Sequence, residues 1–220
     1  MKSFQELQEG VYDPNILKAF FLAGGPGSGK SYVVKRTTGG LGMKVVNSDN
    51  AFEKFLKDAN LSLKMPDEEE QERDVQRDRA KAITKKQQSN YVEGRLGLII
   101  DGTGKNYDKI SKQATELKQL GYDVHMIFVN TSLDTALARN KKRARTVKES
   151  LVIKSWKEVQ SNIGKFSQYF RQNFVVVDNN DTEEDVMGPV FKQIMSLAKA
   201  KVANRTGQQW ISNELSKKRR

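Results

Sequence analysis

Gly24-Gly25-Pro26-Gly27-Ser28-Gly29-Lys30-Ser31 follows directly on the apolar run Ala19-Phe20-Phe21-Leu22-Ala23. The octet matches G-x-x-x-x-G-K-[ST] at every fixed position, the Walker A or P-loop pattern. A buried strand delivers the chain to a turn whose glycines let consecutive backbone N–H groups point at a polyphosphate. A helix then begins with its positive dipole end facing the same oxygens. Lys30 is placed to reach the β- and γ-phosphates and Ser31 to hold Mg²⁺. Gly24, Gly25, Pro26, Gly27, Ser28, Gly29, Lys30, Ser31 and the adjoining Tyr32 are thus the candidate ATP contacts.

The rest of the chain fits one domain built around that loop. Its 220 residues suffice for one sizeable core with extensions. A 37% hydrophobic and 30% charged composition implies a soluble protein with heavily charged helical surfaces. The absence of cysteine excludes disulfides and cysteine-ligated zinc, and the single histidine, His125, sits in an apolar run where a structural role is expected. The N-terminal stretch MKSFQELQEG lacks the apolar centre of a signal peptide, and no stretch approaches a membrane span, so a cytosolic protein without membrane association is expected. The net charge of +11 suits polyanionic partners such as nucleotides, RNA or DNA, and equally suits simple solubility. Basic residues concentrate at Arg139–Lys148 and at Lys217–Arg220, whereas residues 67–74 form an acidic block.

Short apolar runs alternate with helix-compatible segments, the signature of a parallel sheet wrapped by helices. Strands are expected at Ala19–Ala23, Lys44–Asn47, Leu96–Ile100, Val124–Asn130 and Phe174–Asp178. Helices are expected over Tyr107–Leu120, where Gly121 supplies a stop, over Leu133–Ala144, and from Thr182 to about Ala203 behind a capping box of Asp181 and Glu184. Residues 67–91 read as a polar helix, either a solvated face or a lid on the substrate side. Asn204-Arg205-Thr206-Gly207 interrupts the last helix, leaving Gln208–Arg220 as a short basic tail helix with Trp210, Ile211 and Leu215 on one face. Ligands of open α/β sheets bind outside the carboxyl ends of the strands, so the P-loop, Asp49, Asp101 and Asp178 are expected at one rim.

Phosphoryl transfer asks for a cradle, a metal, a group that orients the acceptor and cations around the transferring phosphoryl group. Asp49, after the second strand, is the candidate base. Capping of the helix starting near Asn50 is its other reading, and the two are compatible. Leu98-Ile99-Ile100-Asp101 has the Walker B form, with Asp101 supporting Mg²⁺ through water and Thr103 and Lys105 as candidate substrate contacts. Arg139 and Arg143, four apart on one expected helix face, are candidates for closing over the triphosphate, with Arg145 beside them. An exposed basic face or a nucleic-acid patch is the alternative for this cluster.

Taken in order, the Walker loop, Asn47-Ser48-Asp49, Ile100-Asp101-Gly102-Thr103, Arg139-Asn140-Lys141-Lys142-Arg143 and Trp156-Lys157-Glu158-Val159-Gln160 resemble the zeta-toxin and polynucleotide-kinase branch of P-loop kinases. The chain is similar also to small kinases encoded by tailed bacteriophages. The resemblance spans roughly residues 18 to 195. It implies a three-layer α/β/α fold with a five-stranded, adenylate-kinase-like parallel sheet, ATP with Mg²⁺, Asp49 as base and an arginine lid over about 139–149. It also implies that Asp178 or Asn179 lies near the adenine. The expected layout is a kinase domain over 1–203, a helical lid or substrate element at 67–91 and a basic tail at 204–220. The expected activity is transfer of the γ-phosphate of ATP to a hydroxyl of a nucleotide, a nucleoside-like metabolite or a nucleic acid. The rival is a nucleotide-dependent binding protein or ATPase switch that phosphorylates nothing.

Overall fold

A computed structural model describes residues 10–37, 41–143, 145–180 and 187–218. The proposed capping box at Asp181 and Glu184 lies outside the described residues.

Five strands form one parallel sheet: β1 (Lys18–Ala23), β2 (Lys44–Val46), β3 (Leu98–Asp101), β4 (Asp123–Asn130) and β5 (Phe174–Asp178), in the order β2-β3-β1-β4-β5. All five lie where the apolar runs placed them, within two residues. Every residue of β1 is buried, because it is central in the sheet and covered on both faces. The pleat divides it: Ala19, Phe21 and Ala23 enter one core, and Phe20 and Leu22 the other.

Eight α-helices surround the sheet among the described residues. They are α1 (Lys30–Thr37), α2 (Ser48–Asp58), α3 (Glu70–Glu93), α4 (Tyr107–Gln119), α5 (Leu133–Lys141), α6 (Glu149–Phe170), α7 (Met187–Lys199) and α8 (Arg205–Lys218). The first core takes Ala114 and Leu117 of α4, Val159, Phe166 and Phe170 of α6, and Trp210 and Ile211 of α8. The second takes Val33 of α1 and Ile194 and Ala198 of α7. The result is three layers, helix on sheet on helix. A third, small cluster of Phe52, Leu56 and Ala80 joins α2 to α3.

Several boundaries differ from the sequence reading: the helix expected to run to about Ala203 ends at Lys199, the polar helix expected at 67–91 spans Glu70–Glu93, and two further differences bear on the site and the tail. Helix α5 stops at Lys141, so Arg143 lies beyond it in a bend and does not share a helix face with Arg139. Helix α8 starts at Arg205 and runs through Gly207. The side-chain carbonyl of Asn204 accepts the backbone N–H of Thr206 at 3.0 Å, so Asn204 opens this helix. Gly207 marks a close crossing: a Cβ there would fall on the backbone carbonyl of Gly121. The same end of the sheet holds a buried ion pair, in which Lys18 Nζ donates to Asp123 Oδ2 at 2.7 Å while Asp123 also accepts the N–H groups of Ala203 and Asn204. Residues 204–218 are therefore docked onto the body of the domain.

Candidate active site

The strand order reverses at β1: the chain goes to β2 and β3 on one side, then crosses to β4 and β5 on the other. The crevice at such a switch point is where a ligand sits. The P-loop leaves β1 into that crevice. Gly27 and Gly29 have φ of +81° and +83°, and added side chains would collide with the Ala136 carbonyl and the Asn179 amide. Glycine is required there both by dihedral and by space. The Gly24 N–H donates to the Thr103 carbonyl at 2.9 Å, and Asn179 Nδ2 donates to the Ser28 carbonyl at 2.8 Å. The cradle is thus braced from behind β3 and from the end of β5. Arg139 donates through Nη1 to the Asn179 carbonyl at 2.7 Å and completes this brace.

Lys30 folds back and donates to the Gly24 carbonyl at 2.6 Å, lying across the loop. Desolvation in the crevice lowers its pKa, the Asp101 and Asp49 carboxylates oppose that, and the Arg143 charge adds to the lowering. Lys30, Asp49, Asp101 and Arg143 therefore act on one another electrostatically, and the structure brings four of the sequence-derived candidates into one field. The rim residues follow from the register: Asp101 pairs with Leu22, two residues before Gly24, and Val46 pairs with Ile100.

Asn47 links the two rim acids. Its Nδ2 donates to Asp101 Oδ2 at 2.7 Å, and its Oδ1 accepts the backbone N–H of Asp49 at 2.7 Å as the N-cap of α2. The cap is therefore Asn47, and the Asp49 carboxylate is free to face the crevice from the first turn. Burial would raise the pKa of Asp49, but the hydrogen bond and charge of Arg145, with the charges of Lys30 and Arg77, outweigh it and hold the carboxyl below its usual range. Arg145 contacts both its oxygens, Nη2 at 3.0 Å and Nη1 at 3.3 Å, and its Nε lies 3.3 Å from Glu53 Oε1. The loop that carries Arg145 is shaped by Asn140, whose amide donates to the Val147 carbonyl at 2.7 Å and accepts its N–H at 3.1 Å. Lys148 fastens the far end of the loop to Asp67.

Asp101 has an elevated pKa, chiefly from burial, with Asp49 adding and Lys30 and the Gly102 N–H opposing. Its Oδ1 is buried without a hydrogen-bond partner among the described residues. An unsatisfied buried oxygen in the field of Lys30, with Ser31 in the first turn of α1, suits a hard cation such as Mg²⁺. Among the described residues no group of three His, Cys, Asp or Glu could hold a metal by itself. A cation here would take its remaining ligands from phosphates and water, as Mg²⁺ usually does.

Other candidates lie further out. Thr103 serves the P-loop through its backbone carbonyl, and Lys105 stands at the surface 4.0 Å from Glu158. Asp178 accepts from Asn180, while its neighbour Asn179 faces the loop. Trp156 donates to the Thr131 carbonyl and Gln160 to Asn130 Oδ1, so the Trp156–Gln160 stretch holds α6 against the end of β4. Arg77, on α3, carried no signal in the sequence because its helix has no apolar periodicity. Its placement depends wholly on how α3 packs on α2.

The switch-point crevice, braced phosphate cradle and facing rim carboxylates define a P-loop kinase fold. The chain belongs to the Zeta toxin family, whose model matches residues 7–187. No curated protein sequence matches it significantly. Among solved structures it is similar to a provisionally named kinase of Chloroflexus aurantiacus J-10-fl, with TM-score 0.58, 14% identity, 81% of this chain covered and 97% of that one. It is similar to the AvrRxo1-ORF1:-ORF2 structure with ATP, at TM-score 0.59, 13% identity and coverage of 84% and 65%. It is also similar to a chain of the Pnkp1/Rnl/Hen1 RNA repair complex, at TM-score 0.52, 20% identity and coverage of 69% and 47%. At these identities the likeness is one of fold. No helix of the described residues is long and apolar enough to cross a membrane.

Proposed function

We propose that this protein is a cytosolic ATP-dependent kinase that transfers the γ-phosphate to a hydroxyl of a nucleotide, a nucleoside-like metabolite or a nucleic acid. The observation that carries the reading is the placement of Asp49: its carboxylate shares the crevice and the field of Lys30, on the side opposite the Asn179 brace. A switch that only hydrolyses ATP needs no second carboxylate held ready by an arginine.

In this reading Lys30 leaves the Gly24 carbonyl for the β- and γ-phosphates, and the N–H groups of the loop and of the start of α1 hold the phosphate oxygens. Ser31 and Asp101 would hold Mg²⁺, which would neutralise phosphate charge when bound. Asp49 accepts the proton of the acceptor hydroxyl as the oxygen–phosphorus bond forms and the bond from the γ-phosphorus to the bridging oxygen breaks, releasing ADP. Arg143, exposed past the end of α5, is the cation that closes over the developing charge, and Arg139 keeps the loop in place. The 139–149 segment is then the arginine lid, and α3 the acceptor-side element.

The test is transfer of labelled phosphate from ATP to a panel of nucleosides, nucleotides, sugar nucleotides and DNA or RNA ends. Mg²⁺-dependent transfer that is lost in Lys30→Ala and in a folded Asp49→Asn variant is the expected result. Label released only as inorganic phosphate, with every acceptor unmodified, would replace this reading by the switch.

A further inference from the structure

Asp49, Phe52 and Glu53 are spaced three and four apart on α2 and so share one stripe of that helix. Arg145 is set into the stripe from the loop after α5. Its Nη groups face the Asp49 oxygens at 3.0 and 3.3 Å, its Nε faces Glu53 Oε1 at 3.3 Å, and its guanidinium stands 5.9 Å from the Phe52 ring centroid. The Arg145 side chain is 11% exposed, against 50% for Asp49 and 38% for Glu53. The most buried of the three charges is thus one cation that serves two carboxylates. Its loop is pinned on both sides, by Asn140 to Val147 and by Lys148 to Asp67, which keeps Arg145 over this stripe.

Only one of the two carboxylates has a place in the chemistry. In the proposed transfer Asp49 takes the proton of the acceptor hydroxyl and becomes neutral. Arg145 loses a partner at that moment, and an unpaired buried charge is costly. With Asp49 as its sole anion, Arg145 would oppose the proton transfer it stands beside, because it favours the ionised form of the base. Glu53 changes this balance. The Arg145 Nε is buried without a hydrogen bond among the described residues, so Glu53 meets it through charge rather than a directed bond. That charge persists whichever form Asp49 is in.

We propose that Glu53 is a positioning residue for phosphoryl transfer: it shares the Arg145 guanidinium with Asp49 and supplies the counter-charge that remains when Asp49 takes the acceptor proton. Its action passes through Arg145. The inference rests on the proposed kinase reading and adds to it the group that lets an arginine-paired carboxylate serve as a base.

The experiment compares wild type, Glu53→Gln, Arg145→Gln and the double variant in single turnovers across pH, with ATP and an acceptor identified by the labelled-phosphate panel. In Glu53→Gln, Arg145 turns wholly to Asp49. The transfer rate is expected to fall by about fivefold and its acid limb to move to lower pH by about 0.5 unit, with ATP affinity unchanged. That direction is opposite to the one expected for Arg145→Gln. Adding Glu53→Gln to Arg145→Gln is expected to move neither the rate nor the limb, since the group through which Glu53 acts is gone. The other charges acting on Asp49 are Lys30 of the P-loop, Asp101 of β3 and Arg77 of α3, and they are the same in every variant. A limb in Glu53→Gln that stays in place or moves to higher pH, or an equal change with and without Arg145, would overturn the inference.

Carbon NMR titration of the Asp49 carboxyl, assigned with Asp49→Asn, reads the sharing without turnover. Its midpoint is expected at lower pH in Glu53→Gln than in wild type, and a midpoint unmoved or raised overturns the inference whatever the activity. A lowered midpoint in a protein that labels no acceptor would instead end the kinase reading, and the role of Glu53 in transfer with it.

Discussion

Asn47 and Asp101 join the ends of two neighbouring strands through a 2.7 Å hydrogen bond, side chain to side chain across the site. The bond leaves the other Asp101 oxygen buried without a hydrogen-bond partner among the described residues, and the other half of the same amide caps the helix that presents Asp49. A single amide thus orients both acids.

Replacing Asn47 by Ala is therefore expected to act twice. Loss of the cap costs about 1 kcal/mol, read from the urea midpoint. Loss of the Asp101 partner is expected to raise the Mg²⁺ concentration needed for half-maximal activity by about tenfold or more, because the carboxylate is no longer oriented. An unchanged Mg²⁺ requirement would remove Asp101 from the metal site.

The Arg145 pair predicts a direction for the pH profile. Asp49 has a lowered folded-state pKa, so its ionised form persists to more acid pH than in the unfolded chain, and the stability it contributes is present above the unfolded value and lost as pH falls through the folded one. Arg145→Gln is expected to move the acid limb of kcat/KM to higher pH and to lower kcat, with ATP affinity retained. A limb that stays in place would mean that Asp49 is not the group that titrates in the rate.

His125 stacks on Phe20 with centroids 4.8 Å apart, and neither ring nitrogen has a partner among the described residues. Burial, reinforced by the Lys18 charge and opposed by Asp123, pushes its pKa down to about 4. The unfolded chain then takes up a proton near pH 6.5 that the folded protein refuses until about pH 4. Stability is expected to fall across that window as pH falls, by about 3 kcal/mol in total. His125→Leu should flatten this part of the curve in denaturant titrations at a series of pH values.

Gly207→Ala places a methyl group on the Gly121 carbonyl, where two backbones meet. A loss of about 1–3 kcal/mol in thermal or urea unfolding is expected. The crossing lies at the end of the sheet away from the P-loop, so ATP affinity of the folded variant should be unchanged.

The parallel sheet and the P-loop were legible because their signals are local. Five apolar runs mark strands buried on both faces, and the glycine pattern marks a backbone conformation that other residues do not reach. Asp49 and Asp101 were legible for the same reason, as acids at a helix start and a strand end on the carboxyl rim. The boundary of α5 was not: Leu133–Ala144 reads as helical, yet the Asn140–Val147 clamp closes the chain into a loop after Lys141 and carries Arg143 off the helix face. Gly207 was read as a break, though the missing side chain answers to a carbonyl more than eighty residues away.

By itself the sequence determined the strand–loop–helix unit, the acids at the rim and the α/β class, since each depends on residue type within a few positions. Only the tertiary structure decided which partner each arginine serves: that Arg145 closes on the Asp49 carboxylate, that Arg139 donates to the Asn179 carbonyl and that Arg77 stacks on Phe52. Those pairings fall between positions 25 to 96 residues apart in the chain, where charges are interchangeable until packing brings two groups within a few ångströms.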